Sequence, residues 1–463
     1  MTDFVNRSEE LDRLHSLFDS ENAHLAVVYG RRRLGKTRLV KKALEGRENA
    51  VFYQARQKTR ELQLEQFVEA AADTVPGIED IRPDWERLFR YLADQNAIVV
   101  LDEFPYLIEQ DESLPSVLQA LFDHEFDESG TTFALVGSSI SMMEEATLLG
   151  DSPLYGRTSL TLDIRELSFD AATEFLPDDA TADEAVRAWS VLGGVPYYLE
   201  ELDADRSLGE NIQQTVLTRH GSLRNEPEHV LRMELTEPTR YFSILEAIAG
   251  GATGRNEIAG VTGIDYNQLS TYFDRLSRLR LIERRVPVTE KPERSKRSQY
   301  RLRDPLFRFW FRFLYGSSDR YDQFGDEAYE RLVEPEMADF VAPAFEQLCC
   351  DALWTLYDET PIVDVGQWWY QDHEIDVVGL TDEDTLVVGE CKYQESPLDY
   401  SALASLETHV EELRWQPAGG GTRSVEYALF SRSGFTDSVH EVAAERDEIR
   451  LYTIDDVVAT LGG

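Results

Sequence analysis

Lysine is scarce in this chain. Only seven of its 46 basic residues are Lys, at positions 36, 41, 42, 58, 291, 296 and 392. Basic residues of either kind are outnumbered by 87 acids, for a formal charge of −41 over 463 residues. A field of that sign repels nucleic acid unless a local patch reverses it. Three cysteines, Cys349, Cys350 and Cys391, make neither a disulfide framework nor a zinc pattern, and the eight histidines show no metal-ligand spacing. No run of roughly 18 apolar residues occurs, which excludes an ordinary membrane-spanning helix. The start, Met1-Thr2-Asp3-Phe4-Val5-Asn6-Arg7, lacks the basic and apolar order of a signal peptide. A cytoplasmic protein with no membrane partner is therefore expected.

Hydrophobic residues make up 42% of the chain, ample for folding, and its length exceeds what one core supports. The acidity is spread evenly and aromatic content is normal, which argues for a folded protein with an acidic surface and against a disordered one. That surface suits a high-salt cytosol, so a halophilic source is expected. Against this background each lysine is informative, and Lys36 and Lys392 stand in motifs whose chemistry needs Lys.

The first 165 residues alternate apolar β-type runs with helical patterns, as in a parallel sheet covered by helices. Strands are predicted at 25–29, 51–54, 97–102, 132–137 and 159–163, and helices at 7–18, 35–45, 60–74, 84–94 and 113–126. Helical segments follow at 183–220. Residues 236–303 read as two short helices, a longer one at 266–279, and two strands around a polar tip at 287–299, the layout of a winged helix-turn-helix. Beyond about 325, helices give way to strands at 362–369, 374–380 and 385–392, a Gly419-Gly420-Gly421 loop, a strand at 425–430 and a closing αβα stretch. The expected division is a parallel-sheet core (1–170), a helical segment set over it as a lid (171–235), the winged module (236–325) and a C-terminal α/β domain (326–463).

Gly30-Arg31-Arg32-Arg33-Leu34-Gly35-Lys36-Thr37 is a complete phosphate-binding loop, preceded by an apolar strand and followed by a helix-forming run from Arg38. Wrapping a polyphosphate with backbone N–H groups needs Gly at the tight positions and a free helix N-terminus beyond. Lys36 is expected on the β- and γ-phosphates of ATP, and Thr37 on Mg2+. The strand ending in Asp102-Glu103 supplies the second half: Asp102 as a magnesium partner, Glu103 to polarise the attacking water, so hydrolysis is expected. The next strand delivers Ser138 and Ser139 to the same edge, where Ser138 would sense the γ-phosphate; Gly-Ser-Ser is also an ordinary turn.

Between 275 and 303 stand eleven basic residues against three acids. Arg275, Arg278 and Arg285 lie beside the expected recognition helix, and Lys291, Arg294, Lys296 and Arg297 at the wing tip. This pattern suits phosphate contacts with nucleic acid, DNA before RNA; base readout would fall to side chains such as Asn267, Gln268 and Thr271. The competing explanations are that the arginines pair with acids elsewhere or that the winged module only joins domains.

Near the C-terminus, Glu374-Ile375-Asp376 opens one strand, and Gly389-Glu390-Cys391-Lys392 ends the next. Alternation puts Glu390 and Lys392 on one face. With Asp376 they could share a divalent metal between two carboxylates while Lys392 orients a water for attack on a phosphodiester. The competing reading is a hairpin with solvent-facing acids. Trp368, Trp369 and Tyr370 read as core and rim packing.

Residues 1 to about 330 resemble the archaeal ATPase family, in the AAA+/STAND division of P-loop NTPases. The resemblance is carried by Phe4-Val5-Asn6-Arg7 with Glu10 and Leu11, the two nucleotide motifs, Leu135-Val136-Gly137-Ser138-Ser139, Pro153-Leu154-Tyr155-Gly156-Arg157 and Gly193-Gly194-Val195-Pro196-Tyr197-Tyr198. It implies an ASCE/AAA+ fold, nominates Arg157 as an arginine sensor or finger, and makes 193–196 a coupling segment between nucleotide and lid. A finger acting in trans would require a homo-oligomer; a sensor in cis would not. Residues 335–463 resemble the PD-(D/E)xK nuclease-like domain, of DUF234 type, that often follows this module, with Ile375 in place of the proline. That likeness implies a restriction-endonuclease-like fold and nominates Glu346 as an outer metal partner. The reading is an ATP-hydrolysing switch coupled to a nucleic-acid-binding arm and a nuclease-like domain. The alternatives are a signalling ATPase with an inert C-terminal platform and a nucleotide-gated DNA-binding regulator.

Overall fold

Five short apolar runs in the first third become strands, each within a residue of its predicted bounds: β1 (His24–Tyr29), β2 (Ala50–Gln54), β3 (Ile98–Asp102), β4 (Thr132–Gly137) and β5 (Leu160–Asp163). The structure, a computed structural model, describes residues 5–126, 129–235, 237–416 and 423–462. Phe4 and the predicted Gly419-Gly420-Gly421 loop lie outside the described residues. The chain divides into two units, Met1–Glu166 with Val195–Tyr197, and Leu167–Gly194 with Tyr198–Gly463.

In the first unit all five strands run parallel in the order β2-β3-β4-β1-β5. Every residue of β3 and β4 is buried, as expected where helices cover both faces of a parallel sheet. The helices are Ser8–Phe18, Lys36–Leu44, Arg60–Ala72, Trp85–Asp94 and Leu114–His124. A sixth, Phe104–Gln110, was not predicted. Its apolar run reads as an extension of β3, but Pro105 in the first turn favours a helix start. Phe133 of β4 is fully buried, stacked on Phe126 at 5.6 Å and edge-on to Phe89 at 5.0 Å. With β4 between β1 and β3, the loop after β1, the acids ending β3 and the serines after β4 leave one sheet edge side by side.

The second unit opens with helices that include Ala182–Leu192, whose start is fixed by the reciprocal capping of Thr181 and Glu184. Helices Pro238–Ala249, Arg255–Thr262 and Leu269–Arg278 follow, then an antiparallel pair, β6 (Ile282–Arg285) and β7 (Gln299–Leu302). A 20-residue helix, Met337–Leu356, precedes a second five-stranded sheet. Its strands are β8 (Ile362–Tyr370), β9 (His373–Thr381), β10 (Thr385–Lys392), β11 (Ser424–Ser431) and β12 (Ile449–Thr453), in the order β12-β11-β10-β9-β8. Strands β8 to β10 are antiparallel neighbours, whereas β10, β11 and β12 are parallel. Helix Tyr400–Glu412, also not predicted, lies in the connection that the parallel β10–β11 pair requires. Among the described residues no helix is long and apolar enough to cross a membrane.

The aromatic cluster around Phe133 makes a testable demand. Phe133→Ala should lower the first unit's resistance to denaturant by about 3–5 kcal/mol, read as the shift of its unfolding transition in high salt. A cost under about 1 kcal/mol would contradict the close packing described.

Candidate nucleotide site and C-terminal carboxylate centre

Two glycines shape the loop after β1. Gly30 adopts φ +151°, and a Cβ there would stand 2.2 Å from the Ile164 carbonyl oxygen, so no side chain fits. Gly35, at φ +82°, is the left-handed turn from which helix Lys36–Leu44 springs, leaving that helix's first N–H groups facing the loop. Lys36 is buried, and its Nζ donates to the carbonyls of Gly30 at 2.8 Å and Arg31 at 2.7 Å, which fixes the amine over the loop. The loop arginines are anchored separately. Arg31 stands 3.7 Å from Glu166, Arg32 donates to the Tyr106 hydroxyl at 3.0 Å, and Arg33 lies over the Tyr197 ring at 3.9 Å. Leu34 is buried against the unit's core, and Arg38 lies in the helix's first turn.

Asp102, 2% exposed, ends β3 directly opposite this loop. Its Oδ2 accepts from Thr37 Oγ1 at 2.9 Å and from Gln54 Nε2 at 3.0 Å. Burial raises its pKa, partly offset by the Thr37 hydrogen bond. Thr37 and Asp102 thus present two oxygens within one hydrogen bond of each other, which fits a magnesium position. Glu103 takes a left-handed conformation, φ +54°, that turns its carboxylate off the strand line, where Oε1 accepts from Ser138 Oγ at 2.9 Å. Lys36, Thr37, Asp102, Glu103 and Ser138 therefore belong to one constellation.

Arg157 does not join it through any hydrogen bond or ion pair described here. Its guanidinium makes a two-pronged pair with Asp123 at 2.6 and 2.7 Å and donates to the carbonyls of Pro153 and Tyr155, both at 3.1 Å. Gln54 was missed from sequence. The signal was available in the parallel register, which sets Gln54 beside Asp102.

The second unit gathers another group. On β10, Lys392 Nζ donates to Glu390 Oε1 at 2.5 Å, so both side chains share a face, and Glu390 is only 9% exposed. Asp376 on β9 accepts the Cys391 N–H at 2.9 Å through Oδ2. Burial, then the neighbouring carboxylates of Glu346 and Glu390, push the Asp376 pKa well above its usual range. Burial alone would lower the Lys392 ammonium, but Glu390 and Asp376 around it raise it. Carboxylates held together and out of water need a cation to stay ionised, and Lys392 supplies one charge for three acids. This donor set fits a divalent metal at Asp376 and Glu390. Among the described residues, however, no three His, Cys, Asp or Glu side chains converge in a metal-holding cluster. A metal at either centre would have two protein side chains, Thr37 with Asp102 or Asp376 with Glu390.

The basic segment is split. Arg297 is engaged by Glu290 at 2.8 Å, by the Trp369 carbonyl at 2.9 Å and by the Tyr370 ring at 5.1 Å. Arg285 reaches Glu283 and, at 3.1 Å, Gln367. Lys291, Arg294 and Lys296 line an open groove at the hairpin tip, and among the described residues their side chains have no partner. Asn267, Gln268, Thr271 and Arg278 are exposed along one face of helix Leu269–Arg278 and the turn before it. Trp368 is core, Trp369 donates to the Arg297 carbonyl, and Tyr370 lies at the rim.

Residues 4–202 match the family of ATPase domains predominantly from Archaea, and residues 310–406 match DUF234, archaeal and bacterial proteins of unknown function. An uncharacterized protein of Methanocaldococcus jannaschii is 34% identical over 385 residues, which are 82% of this chain and 85% of the relative. The chain belongs to this archaeal ATPase family. An uncharacterized ATP-binding protein of the same organism is 51% identical over 45 residues, 10% of this chain and 76% of its own. The Walker-type ATPase PABY2304 of Pyrococcus abyssi superposes with TM-score 0.50 at 21% identity, over 67% of this chain and 96% of that one. The likeness shows the P-loop ATPase fold. The first unit thus lies within the stretch that matches the archaeal ATPase domain, and its loop after β1 is the candidate nucleotide loop. The second unit's five-stranded sheet overlaps the DUF234 stretch.

Because nothing larger than hydrogen fits at Gly30, Gly30→Ala should abolish nucleotide binding while the second unit stays folded. Titration with a fluorescent ATP analogue checks this; binding within about threefold of wild type would show that the loop tolerates the Cβ.

Proposed function

We propose that this archaeal ATPase is a nucleotide-driven switch in which ATP hydrolysis controls a nucleic-acid-binding arm and a metal-dependent nuclease-like centre of the PD-(D/E)xK kind. The observation that carries the nuclease half is the convergence of Asp376, Glu390 and Lys392, with Lys392 on Glu390 at 2.5 Å. Helices Pro238–Ala249, Arg255–Thr262 and Leu269–Arg278 with the β6–β7 hairpin are read as a winged helix-turn-helix between a lid and the restriction-endonuclease-like domain. Lys291, Arg294 and Lys296 would meet backbone phosphates, DNA being the favoured partner.

At the nucleotide site, Lys36 would neutralise the β- and γ-phosphates, and Thr37 with Asp102 would hold a magnesium ion, which would supply charge to offset the phosphates. Glu103, off the strand axis, takes a proton from the attacking water, and Ser138, hydrogen-bonded to it, reports the γ-phosphate. Arg157 would have to leave Asp123 to act as a finger in trans, which would require a homo-oligomer. At the C-terminal centre, Lys392 orients a water toward a phosphodiester, while Asp376 and Glu390 would hold the metal that polarises it.

A second reading, an ATPase whose C-terminal domain is an inert platform, is favoured by the absence among the described residues of a three-ligand metal cluster.

Two substitutions separate the halves. Glu103→Gln should cut ATP turnover by at least about a hundredfold with nucleotide affinity kept; turnover close to wild type would remove Glu103 from the chemistry. In plasmid and oligonucleotide assays in high salt with Mg2+ or Mn2+, Lys392→Ala should lose cleavage that wild type shows. Failure of the wild type to cut any substrate while hydrolysing ATP would favour the inert platform.

A further inference from the structure

Three arginines from the hairpin and the segment after it converge on the outer side of the C-terminal centre. Arg285 on β6 donates to Gln367 Oε1 at 3.1 Å, and Gln367 Nε2 in turn donates to Glu346 Oε2 at 2.8 Å. Arg301 on β7 faces Glu346 and Glu374, and Glu346 lies close enough to Asp376 to raise that acid. Arg308, in helix Pro305–Phe309, stands behind them over the Phe340 ring at 4.4 Å.

Arg301 is the anomaly. Its side chain is 24% exposed, yet its nearest carboxylate, Glu374, is 3.9 Å away. Its hydrogen bond to Gln299 is a marginal 3.5 Å. A guanidinium with five donors, largely out of water, ordinarily finds closer partners than these. Arg308 is under-satisfied too: its Nε is buried with no partner among the described residues, and its contact with the Ser190 carbonyl is 3.3 Å. Burial, then repulsion by the charges of Arg285 and Arg301, pulls the Arg308 pKa down to about 10. Arg285 has Glu283 as its counter-ion, whereas Arg301 and Arg308 are held beside it with no hydrogen-bonded carboxylate among the described residues, an arrangement that costs stability and leaves donors for an anion. A planar fork beside carboxylates suited to a metal matches a phosphate, which accepts two parallel hydrogen bonds.

We propose that Arg301, supported by Arg285 and Arg308, is a phosphate-binding subsite of the C-terminal centre that holds the phosphodiester adjoining the one presented to Lys392. The inference rests on the nuclease reading above and narrows it. The substrate is a polynucleotide with linked phosphates on both sides of the attacked bond, and the hairpin belongs to the same site as Asp376 and Glu390. It also separates two basic surfaces: Lys291, Arg294 and Lys296 at the tip, and Arg301 with Arg285 at the base.

The test uses the full chain at the lowest salt that keeps it folded. Binding of fluorescein-labelled single-stranded and duplex oligonucleotides is followed by anisotropy in EDTA, and cleavage with Mg2+ or Mn2+. Arg301→Gln should raise Kd and KM about tenfold and reduce the salt dependence of binding by about one phosphate contact, with kcat within about threefold. Arg301→Lys should recover part of the loss. Unchanged Kd and KM, or a fall in kcat and Tm with KM unmoved, overturns the subsite and shows Arg301 to be structural. If the wild type cleaves nothing, the nuclease reading fails on that arm, and anisotropy still decides the subsite. Should Arg301→Gln not fold by circular dichroism, Arg285→Gln decides it by the same two criteria.

Discussion

A carboxylate drawn out of water on a sheet strand is the constraint on which both centres depend. Asp102 closes β3 at 2% exposure, and Asp376 lies within β9, half-buried between the buried Ile375 and Val377. Each is shifted upward chiefly by burial. Removing a charged acid from water is affordable only where donors and cations replace the lost hydration. Around Asp102 these are Thr37, Gln54 and the Glu103 N–H. At Asp376 they are the Cys391 N–H and the field of Lys392. Two sheets of different topology therefore meet the same electrostatic demand with the same kind of answer, an acid with a lysine in its field.

The strongly acidic surface sharpens this logic. With a formal charge of −41, the chain gains affinity for an anionic partner only where arginine and lysine are concentrated. The hairpin is such a place, and the structure divides its charges by use. Arg297, held within the hairpin by Glu290, ties it to the β8 edge through the Trp369 carbonyl. Lys291, Arg294 and Lys296 remain at the tip. Arg301 turns toward the carboxylates at the base.

Much of this was legible before any coordinates. Strand positions in both sheets followed from apolar runs bounded by turn residues, because a buried strand must be apolar throughout and short. Lys36, Asp102, Lys392 and Glu390 were readable because scarce lysines and strand-terminal acids have few structural uses. What escaped depended on partners distant in sequence. Gln54 gains its role only from lying beside Asp102 across β2 and β3. Gln367 acquires one only by bridging Arg285 and Glu346. The division of the basic segment was equally invisible, since a count of arginines does not say which carbonyl or carboxylate each meets. Helix Phe104–Gln110 was lost to the apolar run that continues β3, where Pro105 was the overlooked sign.

The central claim, that the C-terminal acids form a metal centre, is tested most directly by Mn2+ titration without nucleotide, read by electron paramagnetic resonance in molar KCl to suppress the acidic surface. The account requires one nucleotide-independent site in the wild type that disappears in Asp376→Asn. Binding that is absent from the wild type, or unchanged in Asp376→Asn, would contradict it.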